Sequence, residues 1–141
     1  MKRPLLLLLL SSWLPGCALF QRPPRPVHAS PQEAASFVWP EILPDKRHQV
    51  LSGITVAAIQ LAMEDFLPWD IKPHAGATLR EKCLYERTSY DVIVTDGGEA
   101  LLYVSLSPRP GVCEMGGQPI MDMGAVYAID TKGWKILSVQ H

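Results

Sequence analysis

The side chains of this sequence that could do chemistry stand at spacings that catalysis and metal binding do not use. The histidines are His28, His48, His74 and His141. No two sit at a ligand spacing such as His-x-x-x-His, so no metal centre is expected. Ser105 and Ser107 lack the flanking glycines of a nucleophile elbow and have no recognisable base and orienting acid, which leaves serine hydrolysis without support. Glu64 and Asp65 are adjacent on a helical stretch and therefore point about 100° apart, a poor geometry for paired acid and base. Asp96-Gly97-Gly98 and Gly116-Gly117 lack the following helix and lysine that cradle a phosphate, and read as turns. These positions imply neither an enzyme nor a cofactor. The remaining reactive groups are Cys17, Cys83 and Cys113, whose chemistry depends on the compartment in which the chain resides.

The N-terminus bears on that compartment. Lys2 and Arg3 precede an apolar run from Leu5 to Leu10, continued by Trp13 and Leu14, the charged and hydrophobic regions of an export signal. Pro15 and Gly16 interrupt it well short of the roughly 20 apolar residues that span a bilayer. Leu14-Pro15-Gly16-Cys17 resembles the lipobox of bacterial lipoproteins, with Leu three before the cysteine and a small residue immediately before it. That resemblance implies removal of residues 1–16, a diacylglycerol on the Cys17 thiol and a fatty acyl group such as palmitate on its amine. At about 0.8 kcal/mol per buried CH₂, two or more acyl chains make a stable membrane anchor. The same resemblance implies an outer-membrane location with the domain facing the periplasm, since Ala18 stands where lipoproteins retained at the inner membrane carry an acidic residue. The mature chain is mildly acidic and has no evident attraction to anionic headgroups, so its contact with the bilayer rests on the acyl chains.

In such an oxidising compartment a Cys83–Cys113 disulfide is the economical assignment. Closing a loop of about 30 residues contributes about 3 to 4 kcal/mol in the chain-entropy model. Two free thiols, or a redox pair at a spacing unlike Cys-x-x-Cys, are the alternatives. A bridge would pin the loop carrying Arg109, Glu114 and Gln118, an arrangement suited to partner recognition and equally to plain loop stabilisation.

Thirteen Lys plus Arg against fourteen Asp plus Glu give a formal charge of −1, which argues against phosphate neutralisation and hence against nucleic acid as a partner. A hydrophobic content of 48% argues against wholesale disorder, and 13 prolines with 10 glycines imply short elements and many turns. Within the lipidated N-terminal segment 17–31, Gln21 to Pro31 is proline-biased toward an extended spacer, able to hold the domain roughly 30 Å from the bilayer at about 3.1 Å per residue. Residues 32–141 then form one domain.

Ser30-Pro31-Gln32-Glu33 is a capping box with proline at the first helical position, so a short helix starts here and Pro40 stops it. Asp45 is expected to cap a longer helix over about 46–66, because Val50, Ile54, Ala57, Ala58 and Leu61 recur on one face. Its polar stripe of Gln49, Ser52, Gln60 and Glu64 is narrow, so protein should cover most of its circumference. Alternation from Leu84 to Thr95 predicts one long strand or two short ones, with Cys83 at the start. Asp96-Gly97-Gly98 turns the chain into a returning strand through Leu102, Val104 and Leu106. Residues 107–119 read as a loop, Ala125, Tyr127 and Ile129 as a third strand, and Trp134 to Val139 as a fourth, after a turn in which Gly133 is available for positive φ.

The expected class is therefore α+β, one long helix and a short one with an antiparallel meander of about four strands. This plan resembles cystatin-like and nuclear-transport-factor-like folds. The ending, from Gly116-Gly117-Gln118-Pro119 through Ile129-Asp130, Gly133 and Ile136-Leu137 to His141, is similar to the C-terminal hairpin of immunity proteins of the latter fold. Tyr103 and Trp134 are expected on the sheet face away from the helix, as a contact surface or covered by residues 31–44. The functional expectation is a non-catalytic binding domain with an envelope protein as one possible partner. An inhibitor or immunity protein against a toxin or hydrolase, a small enzyme with a pocket between helix and sheet, and a passive spacer are the alternatives.

Overall fold

A computed structural model describes residues 25–41, 49–114 and 123–141. Three helices, α1 (Pro31–Ser36), α2 (Gly53–Phe66) and α3 (Leu79–Leu84), and a 3₁₀ turn (Arg87–Ser89) precede four strands. These are β1 (Tyr90–Asp96), β2 (Leu101–Pro108), β3 (Ala125–Asp130) and β4 (Lys135–Gln140). The strands form one antiparallel sheet in the order β1-β2-β3-β4, so the expected α+β meander is present.

The register places Val92, Val94, Leu102, Val104, Leu106, Ala125, Tyr127 and Ile129 on one face, which receives α2. Ala58 and Ala62 are fully buried there, their small side chains allowing close approach of helix and sheet. Phe66 packs edge-on against Tyr90 at the far end of the helix, with ring centroids 5.0 Å apart. Ile136 and Val139 both pack against this core although three residues apart, which strict alternation forbids. An irregularity in the β3–β4 register, opposite Ala128 and Ile129, skips Leu137 and restores both side chains to the inner face.

Several expected boundaries move. The capping box at Ser30 forms with both reciprocal bonds, but α1 ends at Ser36, ahead of Pro40, and buries nothing. The long helix expected over 46–66 is shorter: residues 46–48 lie outside the described residues, 49–52 are not helical, and Ser52 caps α2 at Gly53. Val50, expected on the buried face, is exposed. Cys83 and Leu84 belong to α3, not to a strand, because Thr78 and Glu81 make a second capping box. Thr88 lies in the 3₁₀ turn that follows. Trp134 belongs to the β3–β4 turn and carries the positive φ (48°) expected of Gly133. Gly133 itself has no positive φ, and a side chain there would come within 2.9 Å of the Asp130 carboxylate and displace it.

Cys83 and Cys113 are joined, with Cα atoms 5.7 Å apart. The bridge ties α3 to the segment after β2, where Cys113 is almost fully buried. Around it the Ser89 hydroxyl donates to the Cys83 carbonyl (2.7 Å) and the Tyr90 hydroxyl to that of Leu84 (2.9 Å). Arg87 donates twice to the Leu67 carbonyl at the end of α2 (3.0 and 2.8 Å).

Candidate functional site

The N-terminal half of α2 overhangs the inner face of β1 and leaves a cleft of about 670 Å³. Leu51, Ile54 and Ile59 line one side and Val92, Val94 and Leu102 the other. The cleft exists because α2 lies flush with the sheet only where alanines meet it. Ala58 and Ala62 are fully buried, whereas one turn earlier Ile54 is 54% exposed.

Three of the polar side chains at the rim, Ser52, Thr55 and Asp96, are already engaged, while Gln49 lines the cleft beside them. Ser52 Oγ accepts from the Thr55 backbone N–H (3.0 Å) and lies 2.8 Å from the Thr55 hydroxyl. Asp96 Oδ1 accepts from the Gly98 N–H in the hairpin turn (2.8 Å). The cleft therefore offers two apolar walls with Gln49 as a polar contact at the rim. Groups with displaced ionisation lie elsewhere. Hydrogen bonds from the Ser30 and Thr78 caps lower the Glu33 and Glu81 carboxyls, and the Ala75 carbonyl, with Glu81, raises His74. Burial raises the Tyr90 hydroxyl, and burial with the Asp65 carboxylate pushes that of Tyr127 up to about 12. All five shifts thus belong to short-helix caps or to the core.

The residues singled out from sequence do not converge. Tyr103 stands on the outer face of β2, 40% exposed, beside a shallow depression lined by Val126, Ala128, Ser138 and Gln140. Residues 31–41 are all exposed and do not cover it. Trp134 lies in the turn at one end of the sheet, whereas Arg109 and Glu114 follow β2 at the other end. Arg109 is a latch: its guanidinium donates to the Thr88 carbonyl and approaches Asp91 at 3.8 Å, while its backbone N–H donates to the Ser89 carbonyl. Glu114 is exposed beside the bridged Cys113. Cys17 and Gln118 lie outside the described residues.

A pocket between helix and sheet was among the alternatives expected from the sequence, but its lining was not: Leu51, before a helix-capping serine, was assigned to the helix itself. A second apolar surface follows α1, where Phe37, Val38 and Trp39 are 60%, 84% and 75% exposed. Among the described residues no group of three or more His, Cys, Asp or Glu side chains is placed to hold a metal ion, and no helix is long and apolar enough to cross a membrane. Comparison of the chain with protein-family models, curated proteins and solved structures gives no match.

Proposed function

We propose that this chain is an exported lipoprotein, held at the periplasmic side of the outer membrane through acylated Cys17, whose α+β domain works by non-catalytic binding of an envelope partner. The observation that carries the binding reading is the α2–β1 cleft, whose apolar walls face one another while Ser52, Thr55 and Asp96 at its rim are committed to cap and turn hydrogen bonds. A partner would enter with apolar side chains, for which such a surface is suited. The Cys83–Cys113 bridge supports residence in an oxidising compartment. The finer architecture proposed is the cystatin-like or nuclear-transport-factor-like plan, supported by one helix laid on one face of a four-stranded antiparallel meander.

Two measurements on the full chain in bacterial cells test this reading. Metabolic labelling with a fatty acid marks the wild type and not Cys17→Ala; equal labelling refutes the anchor. A photo-crosslinking side chain introduced at Ile54 gives one discrete envelope adduct, which Val94→Lys in the opposite wall abolishes. An adduct pattern identical to that from Lys132, in the distant β3–β4 turn, refutes the cleft as the binding surface.

A further inference from the structure

The two edges of the sheet are built differently. β4 carries Lys135 and the register irregularity at Leu137, two devices that discourage pairing with another chain. β1, reading Tyr-Asp-Val-Ile-Val-Thr-Asp, is regular over seven residues and contains neither lysine nor proline. Among the described residues its sole strand neighbour is β2. The direction of its unpaired groups follows from the ends of the β1–β2 ladder. Gly97 N–H donates to the Leu101 carbonyl and Arg109 N–H to that of Ser89, so Asp91, Ile93 and Thr95 bond inward to β2. The N–H and C=O groups of Val92, Val94 and Asp96 and the C=O of Tyr90 therefore face the edge away from β2, where no described strand pairs with them; the Tyr90 N–H is taken by the Arg87 carbonyl.

From this edge we infer that two copies of the chain pair through β1, antiparallel about a two-fold axis at Ile93, to form one continuous eight-stranded sheet. The sequence is self-complementary in that register. Val92 lies opposite Val94 of the second copy and exchanges both backbone hydrogen bonds with it, while Asp96 N–H donates to the Tyr90 carbonyl, the Tyr90 N–H being held by the Arg87 carbonyl of its own 3₁₀ turn. On the outer face Asp91 meets Thr95, so no aspartate opposes another. Ile93, 61% exposed in the single chain, meets its own counterpart in a close, non-hydrogen-bonded pair. Slipping the register by two residues puts Asp91 opposite Ile93 in one direction and Asp96 opposite Val92 in the other. The inner-face valines line the cleft, so the clefts of the two copies meet across the axis. The pairing does not depend on the cleft having a ligand or on the lipid anchor.

Cysteine cross-linking in the full chain, in the cell envelope under mild oxidation, tests the register. Ile93→Cys yields a covalent dimer. Asp91→Cys and Thr95→Cys yield little alone and a mixed dimer when co-expressed. Tyr103→Cys, on the central strand β2, sets the background, and an Ile93→Cys yield no higher than that background overturns the proposal. Sedimentation equilibrium of the detergent-solubilised wild type independently gives twice the single-chain mass. Ile93→Lys, a change on an exposed position, raises the dissociation constant by about tenfold or more through like charges at the axis. A wild type sedimenting as a single chain overturns the pairing.

Discussion

Among single residues, Tyr127 offers the sharpest consequence. It is almost fully buried at the centre of β3, and burial with the Asp65 carboxylate pushes its hydroxyl up to about 12. A pKa raised on folding means that the neutral hydroxyl is favoured in the native state. The stabilisation is complete below the unfolded value of about 10 and is lost as pH climbs from there through 12. Tyr90 acts in the same direction. The urea midpoint should fall between pH 9 and 11.5 by the equivalent of roughly 2 kcal/mol, and Tyr127→Phe should remove much of that slope. At pH 9 the variant should be about 1 kcal/mol less stable, from the lost hydroxyl interaction, and the two curves should cross as the pH rises toward 11.5. A parallel pair of curves would contradict this assignment. Little of this was legible in the sequence, where Tyr127 reads only as an inward strand residue. Arg109 was similarly opaque: its spacing suggested display on a pinned loop, while its partners are the Thr88 carbonyl and Asp91. By contrast, the pairing of Cys83 with Cys113 was legible, because the expectation of export leaves two cysteines beyond the signal and one bridge to make.

At the level of elements, the hairpins were readable because their signals are local. Asp96 accepts from Gly98, Gly98 takes a positive φ of 84°, and the chain reverses where the turn residues stand. The start of α2 was not readable, since Ser52 was counted in the polar stripe of a longer helix rather than as its cap. Asp45 lies outside the described residues; residues 49–52 are not helical, α2 begins at Gly53, and its first fully buried residue is Ala58. The α3 capping box from Thr78 to Glu81 was present in the sequence, but the alternation that begins at Leu84 drew that segment into a strand. The contrast between α1 and α2 separates local from tertiary stabilisation. Ser30 makes the fuller capping box yet guards a helix that buries no residue, whereas Ser52 caps the helix that carries the core. Ser52→Ala should therefore lower unfolding stability by about 1 kcal/mol in urea titration. Ser30→Ala should leave the midpoint where it was, since α1 can fray without exposing core.

The whole molecule depends on one long connection. The sheet and α2 hold each other by apolar burial; α3 adds Leu84 to that core and, with the 3₁₀ turn, is otherwise fastened by a small set of ties. These are the disulfide, the bonds from Arg87 to Leu67 and from Tyr90 to Leu84, and the Arg109 latch onto Thr88. The disulfide spans a sequence separation of 30 residues and so closes β1, β2 and their hairpin into a loop of the unfolded chain. In the chain-entropy model that closure is worth about 3 to 4 kcal/mol, a large share of the roughly 5 to 15 kcal/mol that holds a domain of this size together. Replacing both cysteines by serine should lower the unfolding free energy by that amount. The remaining hydrogen bonds and the α2–sheet core should keep the chain folded in the absence of denaturant, with one cooperative transition at a lower urea midpoint. Reductant added to the wild type should reproduce the variant's midpoint and should have no effect on the variant itself. The comparison separates unfolded-state entropy from native strain: a double variant as stable as the oxidised wild type would show that the bridge contributes nothing beyond the hydrogen bonds around it.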